Sequence, residues 1–275
     1  MESPAEILPG VTFYSYLSTE RKQKACFWNH HTLVLQVSGQ FIMETAARTI
    51  SMGAGEMMLI GKNQLGMLTK TPGPGGSYET IVISLQEDLM RKIALEEKLD
   101  SGVKYIGLPN LLIPSNEFLQ GYFRSIVPYA RSSGASMTDE MGILKVKEGV
   151  KLLLLALPVL ESFLFDYSEP HKIDLRKFML TNFHFNVPVE KFAQLTGRSL
   201  AGFKRDFQKT FDLPPRQWLL SKRLDAAKFL IENKHQKPSA IYLDLGFESL
   251  SHFSHSFKKK FGLVPSELIL LRLSK

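Results

Sequence analysis

Cysteine is almost absent. Cys26 is the only one in 275 residues, so no disulfide can close within the chain and no zinc cluster built from CxxC pairs is available. Long apolar runs are missing as well. The most apolar stretch, LLLLALPVL after Lys151, is too short to span a bilayer and contains Pro158. The start, MESPAEILPG, has neither the basic residues nor the apolar core of a secretory signal. These absences predict a cytoplasmic protein with no membrane partner. Catalytic patterns are equally scarce: no serine sits between the glycines of a nucleophile elbow, and no Cys/His or Ser/His/Asp set stands out. His30 and His31 invite a metal, but adjacent residues of a strand point to opposite faces and no third histidine follows nearby. No catalytic residue, no metal site and no cofactor are expected, and the chain is not expected to be an enzyme.

What remains is a globular composition, 44% hydrophobic and 22% charged, in a chain long enough for two cores. Its charge is split. Beyond residue 169 there are 19 Lys and Arg against 9 Asp and Glu, a net of +10, whereas the first 169 residues hold 15 against 18, a net of −3. A segment so basic suits a polyanion, with nucleic acid ahead of an acidic membrane surface. Tyr167 to Lys172, with Pro170 and mixed charge, reads as a linker. The domains are therefore placed at 1–168 and 169–275.

The basic half contains a duplication. SLAGFKRDFQKT from Ser199 and SLSHFSHSFKKK from Ser249 both place apolar residues at i, i+3 and i+7: Leu200, Phe203 and Phe207, then Leu250, Phe253 and Phe257. That spacing predicts two amphipathic helices. The match continues through Lys209 and Lys259, Phe211 and Phe261, Leu213 and Leu263, and Pro215 and Pro265. With the aromatics turned inward, the first copy presents Ala201, Lys204, Arg205 and Gln208, and the second Ser251, Ser254, His255 and Lys258. Small residues allow close approach, Arg and Lys pair with guanine, Gln with adenine, and Ser with several bases. Any single polar stripe is more often a plain solvated face; its duplication favours DNA reading. Ser199 and Ser249 sit where N-caps belong, leaving backbone N–H groups that could meet a phosphate, and Lys258 and Lys259 suit phosphate contact.

Around these readers the pattern is helical throughout. Ile173 to Phe183 opens the domain, and Val189 to Leu195, then Thr196-Gly197-Arg198, lead into the first reader. Pro238 to Leu245, then Gly246-Phe247-Glu248, lead into the second. Each is helix, glycine-containing turn, helix. A connecting helix from Pro214-Pro215 through Ile231, about 18 residues and about 27 Å long, could hold two readers about 34 Å apart, one turn of DNA.

In the first half, Phe13 to about Leu85 reads as β-structure with turns, with strand candidates at Thr32–Val37, Phe41–Glu44, Ala47–Met52, Met57–Ile60 and Tyr78–Leu85, and many short strands suggest a small barrel or sandwich. After Gln86 the pattern turns helical, with Leu89, Ile93 and Leu95 expected on one face, and further helices are expected from Asn116 to Tyr129 and from Asp139 to Leu157. Met141, Leu144, Gly149, Leu152 and Leu155 give the last a broad apolar stripe, to be buried on the barrel or against the same helix of a second chain.

Residues 173 to 270 resemble the DNA-binding domain of the AraC/XylS family of bacterial transcription regulators. The resemblance is carried by Ala193, Gly197, Ser199, Phe203, Phe207, the stretch Arg223-Leu224-Asp225-Ala226-Ala227, Gly246-Phe247, Ser249, His252-Phe253, Phe257-Lys258-Lys259, Phe261-Gly262 and Pro265. It implies two helix-turn-helix units joined by a helix, with base-reading positions at Ala201, Lys204 and Arg205 and at Ser251, Ser254 and His255. The chain departs from the family pattern at Tyr242, where a small residue is usual, and at Asp212, where glycine is common. More weakly, the first half resembles the cupin-like sensor domains of the same family, which bind a small effector or respond to a protein partner and often dimerise. The expected architecture is thus two-domain α+β, a cupin-like β-barrel with helices followed by an all-α domain with two helix-turn-helix units. The expected function is that of a sequence-specific regulator, an activator touching RNA polymerase, on a double-stranded operator, with an effector and a homodimer as further partners. The alternatives are a barrel enzyme carrying a DNA-binding module, which lacks a ligand set, and a non-specific architectural binder, which two readers with different outer residues disfavour.

Overall fold

The structure, a computed structural model of the 275-residue chain, describes residues 5–6, 13–19, 22–45, 48–99, 104–131, 138–167 and 172–273. The chain divides into two compact units, 1–168 and 169–275; most of the linker expected between them lies outside the described residues.

In the first unit the described strands are β1 (Ala5–Glu6), β2 (Phe13–Ser18), β3 (Lys22–Trp28), β4 (His31–Ser38), β5 (Gln40–Glu44), β6 (Thr49–Met52), β7 (Met57–Ile60), β8 (Gln64–Thr71), β9 (Tyr78–Leu85) and β10 (Asn110–Ile113). They pair antiparallel in two sheets, β1-β2-β9-β4-β7-β10 and β3-β8-β5-β6. The large sheet is covered on both faces. Val34, Met58, Ile60 and Tyr78 meet Phe41, Met43, Ile50, Met52 and Leu68 of the small sheet. Their neighbours Leu33, Leu35, Met57, Leu59, Ile81 and Ile83 point the other way, into a second core shared with helices. Burial on both sides leaves Leu33-Val34-Leu35 of β4 and the whole of β7 as unbroken apolar runs, while β5 and β6 alternate because one of their faces is outward. The expected strand from Ala47 begins at Thr49; Ala47 lies outside the described residues.

The helices of this unit are α1 (Glu87–Glu97), α2 (Glu117–Arg131), α3 (Asp139–Ala156) and α4 (Leu160–Leu164). Met90, Ile93, Leu119, Tyr122, Ile126, Val146, Val150, Leu153 and Phe163 bury against the large sheet; Leu95 faces solvent instead. Thr138 caps α3, its hydroxyl accepting from the Met141 N–H at 3.3 Å. The expected stripe on α3 is not one face. Gly149 is buried and Leu152 partly so, whereas Met141, Leu144 and Leu155 point outward at 39%, 65% and 71% exposure. The reason is geometric: Val146, Gly149, Val150 and Leu153 form the inward row at helical spacing, with the Tyr122 hydroxyl donating to the Lys145 carbonyl at 2.9 Å. Lys147 bridges Glu96 and Glu97, both at 2.9 Å, and ties α3 to α1.

The second unit comprises α5 (Leu175–Asn182), α6 (Val189–Leu195), α7 (Leu200–Phe211), α8 (Pro215–Lys234), α9 (Pro238–Ile241), α10 (Leu250–Phe261) and α11 (Pro265–Leu273). Asp174 caps α5, accepting from the Lys177 N–H at 3.0 Å, which sets the helix start two residues after Ile173. α8 begins on Pro215, where a missing N–H costs nothing, and runs 20 residues. The helix expected from Pro238 to Leu245 is only the single turn of α9. Beyond it the chain closes in a turn on left-handed Gly246, with Leu245 N–H donating to Ile241, Gly246 N–H to Leu243 and Phe247 N–H back to Tyr242, and this brings Leu245 and Phe247 into the core. Each reader packs on its own aromatic ladder. Phe203, Phe207, Phe211 and Trp218 follow one another at 5.3, 4.6 and 4.4 Å. In the second, Phe247, Phe253, Phe257 and Phe261 do so at 5.0, 5.7 and 4.6 Å.

Candidate nucleic-acid interface

Both reader helices start on a serine because its hydroxyl satisfies a free N–H of the first turn. Ser199 Oγ accepts from Gly202 and Ser249 Oγ from His252, each at 3.2 Å. These hydroxyls are occupied with capping, so what the caps offer outward is backbone. With Phe203 and Phe207 fully buried, Ala201, Lys204, Arg205 and Gln208 of α7 are exposed together. On α10, Phe253 and Phe257 are fully buried, Ser251, His255, Lys258 and Lys259 are exposed, and Ser254 is half-buried at the edge of the face.

Several charges that a sequence leaves undifferentiated are already committed. Asp206, on the flank of α7, accepts from Arg198 Nε at 3.0 Å and pairs with Lys172 at 3.1 Å. These hydrogen bonds hold its carboxyl below the usual range, Arg198 first and Lys172 second. Arg198 also donates to the carbonyls of Ile173 and Thr196, which ties the turn before α7 to the chain leading into α5. Arg176 donates to the carbonyl of Thr210 and lies over the Phe211 ring. Of the three lysines ending α10, Lys260 bonds Ser221 Oγ at 2.6 Å and Asp225 at 2.7 Å and pins α10 to α8. Lys258 and Lys259 remain at the solvent, at the helix end where the macrodipole favours cations. The tethers by Asp206, Arg176 and Lys260 were not foreseen from the sequence, because partners 34 to 39 positions apart leave no local pattern.

The two departures from the family pattern have visible places. Asp212 ends α7 in the left-handed region at φ 56°, where its counterpart Gly262 ends α10 at φ 82°. Tyr242 is partly buried against the core of the second unit. Among the described residues, no three His, Cys, Asp or Glu side chains come together as metal ligands. His31 is buried, receives the Lys62 N–H on Nδ1 at 3.3 Å and stacks at 4.7 Å on Phe163. No helix among the described residues is long and apolar enough to cross a membrane.

Two helix-turn-helix units on one connecting helix, following a unit of two stacked sheets and helices, define a two-domain protein of the double helix-turn-helix class. The family models and the sequence relatives agree. Residues 192–269 match a family described as "Helix-turn-helix domain", and residues 31–161 match "ExsA N-terminal regulatory domain". The chain is 25% identical over 268 residues to the HTH-type transcriptional regulator ExsA of Pseudomonas aeruginosa, covering 90% of this chain and 93% of that one. It is 32% identical over 100 residues to the virulence regulon transcriptional activator VirF of Yersinia enterocolitica, a match spanning 36% of this chain and 37% of VirF. The solved structure of an apo ToxT variant from Vibrio cholerae aligns with 95% of this chain and 98% of its own at 14% identity and a TM-score of 0.45. The chain is homologous to AraC/XylS-type transcription regulators, with the helix-turn-helix match over residues 192–269 and the regulatory-domain match over residues 31–161.

Proposed function

We propose that the protein is a sequence-specific transcription regulator that binds a double-stranded operator through two successive major-groove segments, one for α7 and one for α10. The observation that carries this is the repeated exposure of a polar face, with an exposed Lys204-Arg205 pair on one reader and Ser251 with His255 on the other, opposite fully buried phenylalanines. Arg205 and Lys204 supply most of the direct readout, and Gln208 extends it along α7. The second reader carries no arginine on its face and mainly positions the protein, with Lys258 and Lys259 on phosphates. The net charge of +10 beyond residue 169 supports a polyanionic partner. Activation through contact with RNA polymerase fits a relative named as a transcriptional activator. On this reading the protein works in the cytoplasm by binding rather than by catalysis. The first unit takes a small-molecule or protein effector, and Met141, Leu144 and Leu155 meet a second copy of the chain.

Selection of bound genomic fragments with the purified full chain at physiological salt tests the central claim. A recurring site with two short blocks about one helical turn apart is expected. Equal retention of unrelated fragments would instead indicate an architectural binder.

A further inference from the structure

One cation in the second unit does no work at the DNA-facing surface. Arg223 lies midway along α8 and spends its guanidinium on three backbone carbonyls. Nε donates to Phe183 at 2.8 Å, one terminal nitrogen to Phe185 at 2.9 Å and the other to Gly246 at 3.1 Å. The first two acceptors belong to the loop between α5 and α6, which supports the first reader. The third belongs to the turn before α10, the second reader. One planar group therefore holds both helix-turn-helix units and the helix that joins them.

The surroundings are built for this. Gly246 has φ 80°, and a Cβ there would stand 2.4 Å from the His184 carbonyl oxygen and 3.0 Å from Arg223 Cζ, so the turn can approach the loop only as glycine. Asn186 of the same loop donates to Glu248 Oε1 at 3.0 Å and closes the seam one step further out. No carboxylate pairs with Arg223 among the described residues. Burial pulls its pKa down to about 10, which leaves it charged at neutral pH. A half-buried cation satisfied by carbonyls alone is a costly way to fill space, and its planar fork fixes direction where an aliphatic side chain would not.

We propose that Arg223 is the positioning residue that sets the separation and angle of the two readers, and so makes the protein discriminate operators by the number of base pairs between their two blocks. The second clause rests on the DNA-reading function proposed above; the first does not. One inserted base pair shifts the second block by about 3.4 Å and turns it by about 35°. A rigid pair of readers loses contacts to at least one base pair under that change, while a hinged pair follows it.

The test measures the free protein first. In the full chain with Cys26→Ser, spin labels at Lys209→Cys and Lys259→Cys report the distance between α7 and α10. We expect a narrow distribution that broadens or splits in Arg223→Met, which keeps the stem without donors, and in Arg223→Lys, which keeps the charge without the fork. Unchanged widths in both variants that retain helical circular dichroism would overturn the proposal. So would loss of helical content in both, which would make Arg223 a residue of the fold rather than of reader spacing. Binding is then measured on duplexes recovered by selection and on the same duplexes with one base pair inserted between blocks. Wild type should lose about tenfold or more in affinity, and the variants much less. An equal loss refutes the spacing role. Failure to recover any common duplex refutes the DNA-reading function, and the distance measurement still decides the clamp.

Discussion

Asp212 and Gly262 occupy equivalent positions after the two readers and invite an exchange. Both adopt left-handed backbone, φ 56° and 82°, and their N–H groups close the helices on Gln208 and Lys258 carbonyls at 3.0 and 2.8 Å. A residue with a Cβ gives up about 1 kcal/mol there relative to glycine, the low end because aspartate tolerates this region. Its carboxylate also faces the negative end of the α7 dipole, at about 0.3–1 kcal/mol. Against this, glycine gains about 0.4–1 kcal/mol of freedom in the unfolded chain. Asp212→Gly should therefore stabilise the second unit by about 0.5–1 kcal/mol, and Gly262→Asp should destabilise it by a similar amount. For a domain of this size that is a Tm shift of about 2–6 °C in each direction. Trp218, stacked 4.4 Å from Phe211, is the probe, read in a Trp28→Phe background so that the first unit is silent. A lower Tm in Asp212→Gly, or an unchanged one in Gly262→Asp, would refute the claim that the left-handed cap limits these helix ends.

Arg205→Ala should cost about 1–3 kcal/mol of discrimination at one base pair while leaving the melting temperature unchanged, because the side chain is exposed; an equal loss on scrambled DNA would make it a phosphate contact. Lys259→Ala should weaken binding to all duplexes and lower the salt slope by about one, measured by titration at several ionic strengths; an unaltered slope rules the contact out. Burial, and then Lys62, hold His31 neutral with a pKa of about 3 against 6.5. The unfolded chain binds the extra proton, so this contribution is complete above pH 6.5 and lost as pH falls toward 3, at up to about 1.4 kcal/mol per pH unit. His31→Gln should flatten the fall in stability between about pH 6.5 and 4.5, and an identical slope would show that another group carries it. Leu144→Glu should shift the full chain toward monomer in sedimentation without altering its fold, since Leu144 is exposed on α3; an unchanged sedimentation coefficient removes that face from any self-association.

The most legible parts were those written in local periodicity. Leu200, Phe203 and Phe207, repeated at Leu250, Phe253 and Phe257, place two helices with their caps, and β5 and β6 show in alternation because one face of each is buried. β3 and β8 fall within the stretch from Phe13 to Leu85 that reads as β-structure but have no bounds of their own there: KQKACFW carries lysines suited to a sheet edge and, among the described strands, pairs with β8 alone. β10 has no sequence signal, since a four-residue run such as NLLI has no period of its own. On α3 the apolar residues were recognised but their direction was not, because a helix apolar over much of its circumference leaves its inward row to be chosen by what it packs on.

Sequence alone determined that there are two units of opposite charge and that the second contains one helix-turn-helix used twice. It also determined which side chains can share the outer face of each reader, because the helical period of about 3.6 residues and capping both act within a few positions. Tertiary structure alone decided which charges stay available to a partner. Arg198 and Lys260 are tied down, whereas Arg205 and Lys259 are exposed, and Arg223 reaches Gly246 and Phe183 across 23 and 40 positions. Such contacts form only when separate helices have packed, and no spacing within the chain encodes where a packed neighbour will leave its carbonyl.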